Sequence, residues 1–215
     1  MRAARPEMDA GRAEAERLFS EVSRETWARL EALTGLLIKW QKTINLVAPA
    51  TLPDVWTRHI ADSLQLVQLI PAAAKTLVDL GSGGGFPGLV IAAARPELHV
   101  HLIESDQRKS AFLREAARAI RVQATVHNQR IESALAAWPH GADVITARAL
   151  APLDELLGLA APLLIAGAAG IFPKGREIKE ELAQAEKTWA LRYELVPSRT
   201  SPDSSVVVVS GLTPR

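Results

Sequence analysis

The sequence predicts an α/β fold: a doubly wound, mostly parallel seven-stranded sheet preceded by a helical extension. Three observations carry this prediction. Thr76 to Gly88, TLVDLGSGGGFPG, reads as a buried strand, a glycine loop and the start of a helix, the parts of a turn that cradles a nucleotide. Beyond it, short β-rich apolar runs alternate with helical ones, and right-handed crossovers between such units build a parallel sheet with helices on both faces. The last two strand-like runs are joined only by a short polar loop, which permits an antiparallel pair.

The chain divides at about residue 70, with a helical extension over 1–70 and the sheet domain over 71–215. Residues 1–11 read as a frayed tail and 11–19 as a short charged helix. Arg24 to Val47 reads as a longer helix, because Trp27, Leu30, Leu33, Leu37, Trp40 and Ile44 recur every three or four residues and make one apolar stripe. A third helix is predicted from Pro53-Asp54 to Ile70, with Val55, Ile60, Leu64, Val67 and Leu69 inward and Pro71 as its stop. Strands are predicted over 76–80, 99–103, 123–127, 142–147 and 168–172, and helices over 87–94, 106–120, 131–138, 152–165 and 176–190. Arg192 to Pro197 and Ser204 to Ser210 form the closing pair.

Composition narrows the chemistry. With 48% apolar residues the 215-residue chain buries a sizeable core, and its net charge of +1 gives no global field for a polyanion. Any such partner has to be met by a local basic patch. The absence of cysteine removes disulfides, thiolate metal centres and cysteine nucleophiles together. The N-terminus lacks the apolar core of a secretory signal. Leu156 to Pro173 is the longest uncharged stretch, but Gly158, Pro162, Gly167 and Gly170 interrupt it, so it reads as a helix end, a turn and a buried strand. No membrane partner and no metal are expected, and the expected location is cytoplasmic.

Two ligand classes share the glycine loop. Gly83, Gly85 and Gly88 match the G-x-G-x-x-G of a dinucleotide-binding domain, which on its own is a weak signal. Asp79, Gly81, Gly83 and Gly85 match the acidic-x-G-x-G-x-G of class I S-adenosylmethionine (SAM) methyltransferases, whose sheet also ends in an antiparallel pair. The second pattern gives a reason for a carboxylate inside an apolar strand, since burying it is costly unless it is paired. A cationic cofactor supplies that partner. The alternative is that Asp79 caps loop amides. Glu104 ends the second strand, where a carboxylate accepts the ribose hydroxyls; Ser105 and Asp106 are left to cap the next helix. Ile131 and Glu132 follow the third strand, on the adenine side in this class, although Glu132 fits equally as a first-turn acid. Arg148 stands at the end of the fourth strand, where ligands bind in such sheets.

The chain resembles the RsmG (GidB) family, the small-subunit ribosomal RNA guanine-N7 methyltransferases. Lys39-Trp40 with Asn45-Leu46, the block Arg58 to Ser63 (RHIADS), and DLGSGGGFPG with its Phe86-Pro87 pair carry the resemblance. Glu104-Ser105, Arg108-Lys109, Arg130-Ile131-Glu132, Arg148-Ala149 and Lys174-Gly175 continue it. The loop departs from many members at Gly84, where they have Ala or Pro. The resemblance implies a Rossmann-like class I SAM-dependent methyltransferase domain with an N-terminal helical extension, and Gly81, Phe86, Ile131, Glu132 and Arg148 in contact with SAM. It also implies 16S rRNA in the small ribosomal subunit as partner, with a monomer expected.

Guanine N7 has an in-plane lone pair and no proton to lose, so no catalytic base is required and positioning supplies the catalysis. Arg58, His59, Lys109 and Lys174 are the expected RNA contacts near the pocket. His59 reads equally as a satisfied interface histidine, with Asp62 three residues on to orient it. Two other readings stay open at this point: a SAM-dependent methyltransferase for a small molecule or protein, and a nicotinamide oxidoreductase.

Overall fold

In β1 (Thr76–Leu80) successive side chains point to opposite faces, and both faces are buried. Leu77 enters one apolar cluster, Val78 and Leu80 another. The computed structural model describes the backbone from residue 4 and the side chains from residue 8, through residue 215. β1 joins β2 (His99–Ile103), β3 (Ala124–His127), β4 (Val144–Ala147), β5 (Ala169–Lys174), β6 (Trp189–Pro197) and β7 (Ser205–Pro214) in one sheet, ordered β3-β2-β1-β4-β5-β7-β6. β1 to β5 pair in parallel, and β7 runs antiparallel to both β5 and β6. The order reverses between β1 and β4, which makes their carboxyl ends the crevice where ligands bind in such sheets.

The first face is covered by α4 (Gly88–Ala94), α5 (Gln107–Ala119) and the extension, with α1 (Ala4–Leu18) and α2 (Arg24–Gln41). The second is covered by α6 (Ile131–Leu135), α7 (Leu153–Ile165) and α8 (Ile178–Ala185). The α2 stripe of Trp27, Leu30, Leu33 and Leu37 is buried, Ser23 caps the helix through the Thr26 amide at 3.1 Å, and Trp40 meets Phe112 of α5 edge-on. The apolar cluster runs unbroken from Ala15 and Leu30 in the extension to Leu89 and Phe112 on the sheet. Among the described residues no helix is long and apolar enough to cross a membrane.

Several boundaries differ from the sequence expectation. Residues 1–3 of the expected frayed tail lie outside the described residues, but the helix runs from Ala4. It is held where Ala15 and Phe19 are buried and Arg12 pairs with Glu16 and Glu31. α2 stops at Gln41, not Val47. The Gln41 carboxamide takes the Leu46 and Val47 amides at 2.9 and 3.1 Å and donates to Val47 O at 2.8 Å, which folds the chain back. The expected helix over 54–70 is broken into a π-helical turn at Trp56–Ala61, a single turn α3 (Asp62–Leu64) and a 3₁₀ turn at Val67–Leu69. The loop between β6 and β7 binds side chains of this segment: Gln65 Oε1 accepts from the Arg199 amide at 2.9 Å, and Thr200 Oγ1 donates to Asp62 Oδ1 at 3.0 Å. β6 begins at Trp189, before the expected Arg192, because Trp189 to Arg192 pair with Pro214 to Gly211 across a bulge.

Helix α6 ends at Leu135 rather than at 138, and Trp138 instead joins four histidines at the β2–β3 edge. His101 stacks on His99 and His140 with centroids 4.6 and 4.7 Å away, and its Nδ1 lies 2.9 Å from His127 Nε2. Trp138 stands edge-on to His101, His127 and His140. Burial first, then the surrounding imidazoles, push the His101 pKa down to about 4, and burial lowers that of His127; no carboxylate offsets either. Groups whose folded pKa lies below the unfolded value support the fold above pH about 6.5 and lose that support as pH falls through about 4. In melts between pH 7 and pH 4, His101→Phe should lose less Tm on acidification than the wild type. Parallel curves would refute this assignment.

Candidate active site

Glycine decides the shape of the loop after β1. Gly81, Gly83 and Gly85 have φ of +66°, +52° and +86°, a region L side chains rarely enter. A Cβ at Gly81 would stand 2.7 Å from Leu150 Cδ1, and one at Gly84 would stand 3.0 Å from Leu46 O. A Cβ at Gly83 would meet only Gly81 O at 3.8 Å, so that position faces open space. The loop borders a cavity of about 1260 Å³ at the carboxyl ends of β1 and β4, walled by both the sheet domain and the extension.

Every residue expected from the sequence lines this cavity except Asp79. Glu104, at the end of β2, accepts from the Gly83 amide at 2.9 Å and the Asp106 amide at 2.8 Å. It is therefore not the free carboxylate expected from Asp106 doing the capping, although Asp106 does cap α5 through the Arg108 and Lys109 amides. Glu104 ties the glycine loop to β2 and retains further lone pairs for a hydroxyl. Ile131 and Glu132 line the cavity from the first turn of α6.

Asp79 corrects the sequence expectation. Its carboxyl is fully buried beneath the loop, on the α4 side of β1. Oδ1 accepts from Thr146 Oγ1 at 2.8 Å, while Oδ2 has no hydrogen-bond partner of regular geometry and lies against Gly88. Burial pushes its pKa up from 3.8 to about 6, against the lowering by Thr146, Ser82, the Gly88 amide and Arg148. A shift of this size corresponds to about 3 kcal/mol. The folded state takes up the proton more readily than the unfolded one, so this support is complete below about pH 3.8 and lost as pH rises through about 6. Asp79→Asn removes the titration. The Tm of the variant minus that of the wild type is expected to be larger at pH 8 than at pH 5; equal differences would show that the carboxyl does not titrate there.

Arg148 follows β4, and Ala149 after it is held at φ +52°, where a residue with a Cβ stores about 1–3 kcal/mol of strain. Its guanidinium donates to the Arg58 carbonyl at 3.0 Å, contacts His59 Nδ1 at 2.6 Å and lies 3.6 Å from Asp62 Oδ2. Burial works against the Arg148 charge, while Asp62 and Asp79 favour it. Phe86 stacks against His59 at 5.1 Å, and Arg148 lies 5.4 Å over the Phe86 ring.

The four residues expected to meet RNA separate into two kinds. Arg58 is exposed and Lys109 half-buried at the cavity rim. His59 is buried, at 8% exposure, and Asp62 pairs with Arg148 rather than orienting it. Lys174 Nζ is held by Ala151 O at 2.8 Å and Glu181 Oε2 at 2.7 Å, and so braces the loop after Arg148. Thr51, Gln65 and Thr200 also line the cavity and are not expected from the sequence; Gln65 and Thr200 meet across 135 residues of chain, and Thr51 is placed by His59. Among the described residues no cluster is arranged to hold a metal ion.

Known proteins share both the fold and the sequence. The cofactor-bound structure of Rv0187 from MTB superposes with a TM-score of 0.57 at 14% identity, over 87% of this chain and 90% of that one. A ribosomal protein L11 methylase from Lactobacillus delbrueckii subsp. bulgaricus superposes with a TM-score of 0.55 at 17% identity, over 72% of this chain and 78% of that one. In sequence, the chain is 51% identical to ribosomal RNA small subunit methyltransferase G of Parvibaculum lavamentivorans, over 90% of this chain and 87% of that protein. It is 54% identical to the protein of the same name in Paramagnetospirillum magneticum, over 87% and 90%. Residues 26–203 match the GidB family, described as rRNA small subunit methyltransferase G, and the chain belongs to that family.

Proposed function

We propose that this protein transfers a methyl group from SAM to N7 of a guanine in the 16S rRNA of the small ribosomal subunit. The observation that carries the reading is the cavity at the β1–β4 crevice on a chain of this family. The residues present fit the cofactor: Gly83 leaves a cradle that a Cβ would fill, Glu104 offers lone pairs for ribose hydroxyls, and Arg148 offers charge for a carboxylate. Gly81, Gly83, Phe86, Glu104, Ile131, Glu132 and Arg148 would hold it, with Asp79 acting from below the loop. When bound, SAM supplies an electrophilic methyl group on a sulfonium. The protein's own residues have to bind, orient and exclude water, since N7 carries no proton for a base to remove.

RNA is assigned to the rim, where Arg58 and Lys109 lie. Lys109 also lines a neighbouring cleft of about 420 Å³ with Lys42, Asn45 and Arg108 at the end of α2, which suits a phosphate backbone. Contacts of this kind make RNA binding weaken steeply with salt. A ribosomal substrate supports a cytoplasmic location. The methyltransferase family match favours this reading over a nicotinamide oxidoreductase. Small subunits lacking the modification, incubated with labelled SAM, should acquire label in 16S rRNA; label on a protein or metabolite without RNA would move the substrate to another class.

A further inference from the structure

The extension and the cavity meet at Arg148, and the donors there fix a protonation state. A guanidinium has only donors, so His59 Nδ1, 2.6 Å from Arg148 Nη2, accepts. The imidazole is then neutral, with its hydrogen on Nε2. Nε2 lies 2.9 Å from Thr51 Oγ1, which donates to Ala48 O at 2.8 Å. Every donor meets an acceptor from Arg148 through His59 and Thr51 to Ala48. A second imidazole proton has no acceptor among the described residues and faces the Arg148 and Arg58 cations. Burial first, then these two charges, push the His59 pKa down to about 3.

We propose that His59 is a positioning residue: its neutral Nδ1 fixes the Arg148 guanidinium at the cavity wall, so the extension sets cofactor affinity through Arg148. This rests on the reading of the cavity as the SAM site. Arg148 has five N–H groups, and the bonds to Arg58 O and His59 leave others for an anionic group in the cavity. The π-helical turn at Trp56–Ala61 is what carries both the Arg58 carbonyl and the His59 ring to the guanidinium. Such turns recur at functional positions.

Substitutions separate the acceptor from the ring. Asn offers a side-chain carbonyl near the place of Nδ1, whereas Phe keeps the ring against Phe86 without an acceptor. SAM binding to the wild type is measured first by calorimetry; its absence would remove the reading of the cavity, a distinct failure. With the wild type binding, His59→Phe is expected to lose roughly ten- to hundredfold in affinity, as for one hydrogen bond to a charged group, and His59→Asn no more than about threefold. In an Arg148→Ala background His59→Phe should have no further effect. Wild-type affinity in His59→Phe, or an undiminished effect in Arg148→Ala, would overturn the proposal. The ¹⁵N spectrum of the His59 ring tests it without any variant: a proton on Nε2 and none on Nδ1 is expected at both pH 7 and pH 5, and a proton on Nδ1 would overturn it.

Discussion

Gly83→Val is expected to abolish measurable SAM binding while leaving a folded protein. The Cβ at this position points into open space bordering the cavity, with only Gly81 O within 4 Å. Valine would therefore occupy the cofactor's volume without striking the core. Its backbone sits at φ +52°, which costs a branched residue about 1–3 kcal/mol and lowers Tm by roughly 2–12 °C in a domain of this size. Calorimetry should show affinity reduced by more than about a hundredfold, the loss of roughly 3 kcal/mol of contacts, with a far-UV spectrum like that of the wild type. Normal binding by Gly83→Val would place the pocket elsewhere.

Gly88→Ala, five residues on at the start of α4, should do the opposite. A Cβ there would run into Leu102 Cδ2 and stand 2.8 Å from Asp79 Oδ2 and 3.0 Å from Asp79 Cβ. These atoms belong to β1 and β2, which pair through their whole length, so neither strand has room to yield. Overpacking usually costs about 1–3 kcal/mol, and pressing on a buried carboxyl brings the expectation to the top of that range. Thermal melts should show Tm lowered by roughly 6–12 °C. A Tm within about 2 °C of the wild type would mean that α4 sits further from the sheet. The two glycines thus divide two roles: Gly83 in the loop clears space for a ligand, and Gly88 at the start of α4 lets that helix close on the strands.

The same contrast shows what is local in this chain. Gly81, Gly83 and Gly85 all take positive φ, and glycine identity alone announces that. The strands of the sheet begin and end within a few residues of their expected places, because each is a short apolar run bounded by polar residues. Glu104 and Arg148 are legible for the same reason: a strand's end puts its next side chain at the crevice. Asp79 is legible as a buried carboxylate, but not its direction. Period-two alternation puts it on the Leu77 face, which α4 covers, rather than toward the cavity.

The extension was less legible. Periodicity suggests one helix over 54–70, yet the segment is broken, and residues far along the chain bind it at the Arg58 carbonyl and at the side chains of His59, Asp62 and Gln65. Arg148 captures Arg58 O and His59, and the loop at Ser198–Thr200 captures Asp62 and Gln65. Local propensity is worth tenths of a kcal/mol per residue, whereas each buried or charged hydrogen bond is worth about 1–3. His59, expected as an RNA contact, lies buried against Arg148. Lys174 is drawn inward by Glu181 in the same way.

By itself the sequence determined the α/β sheet, the glycine loop, the strand-end residues Glu104 and Arg148, and the family. The sheet, the loop and the strand ends follow from local backbone preference or short apolar patterns, and the family from the resemblance of motifs such as RHIADS and DLGSGGGFPG. Only the tertiary structure decided that the extension forms a wall of the cavity, that Asp79 lies beneath the loop, and which cations remain free at the rim. Those outcomes depend on which partners meet across the chain, and burial and donor–acceptor matching settle that only once the chain is folded.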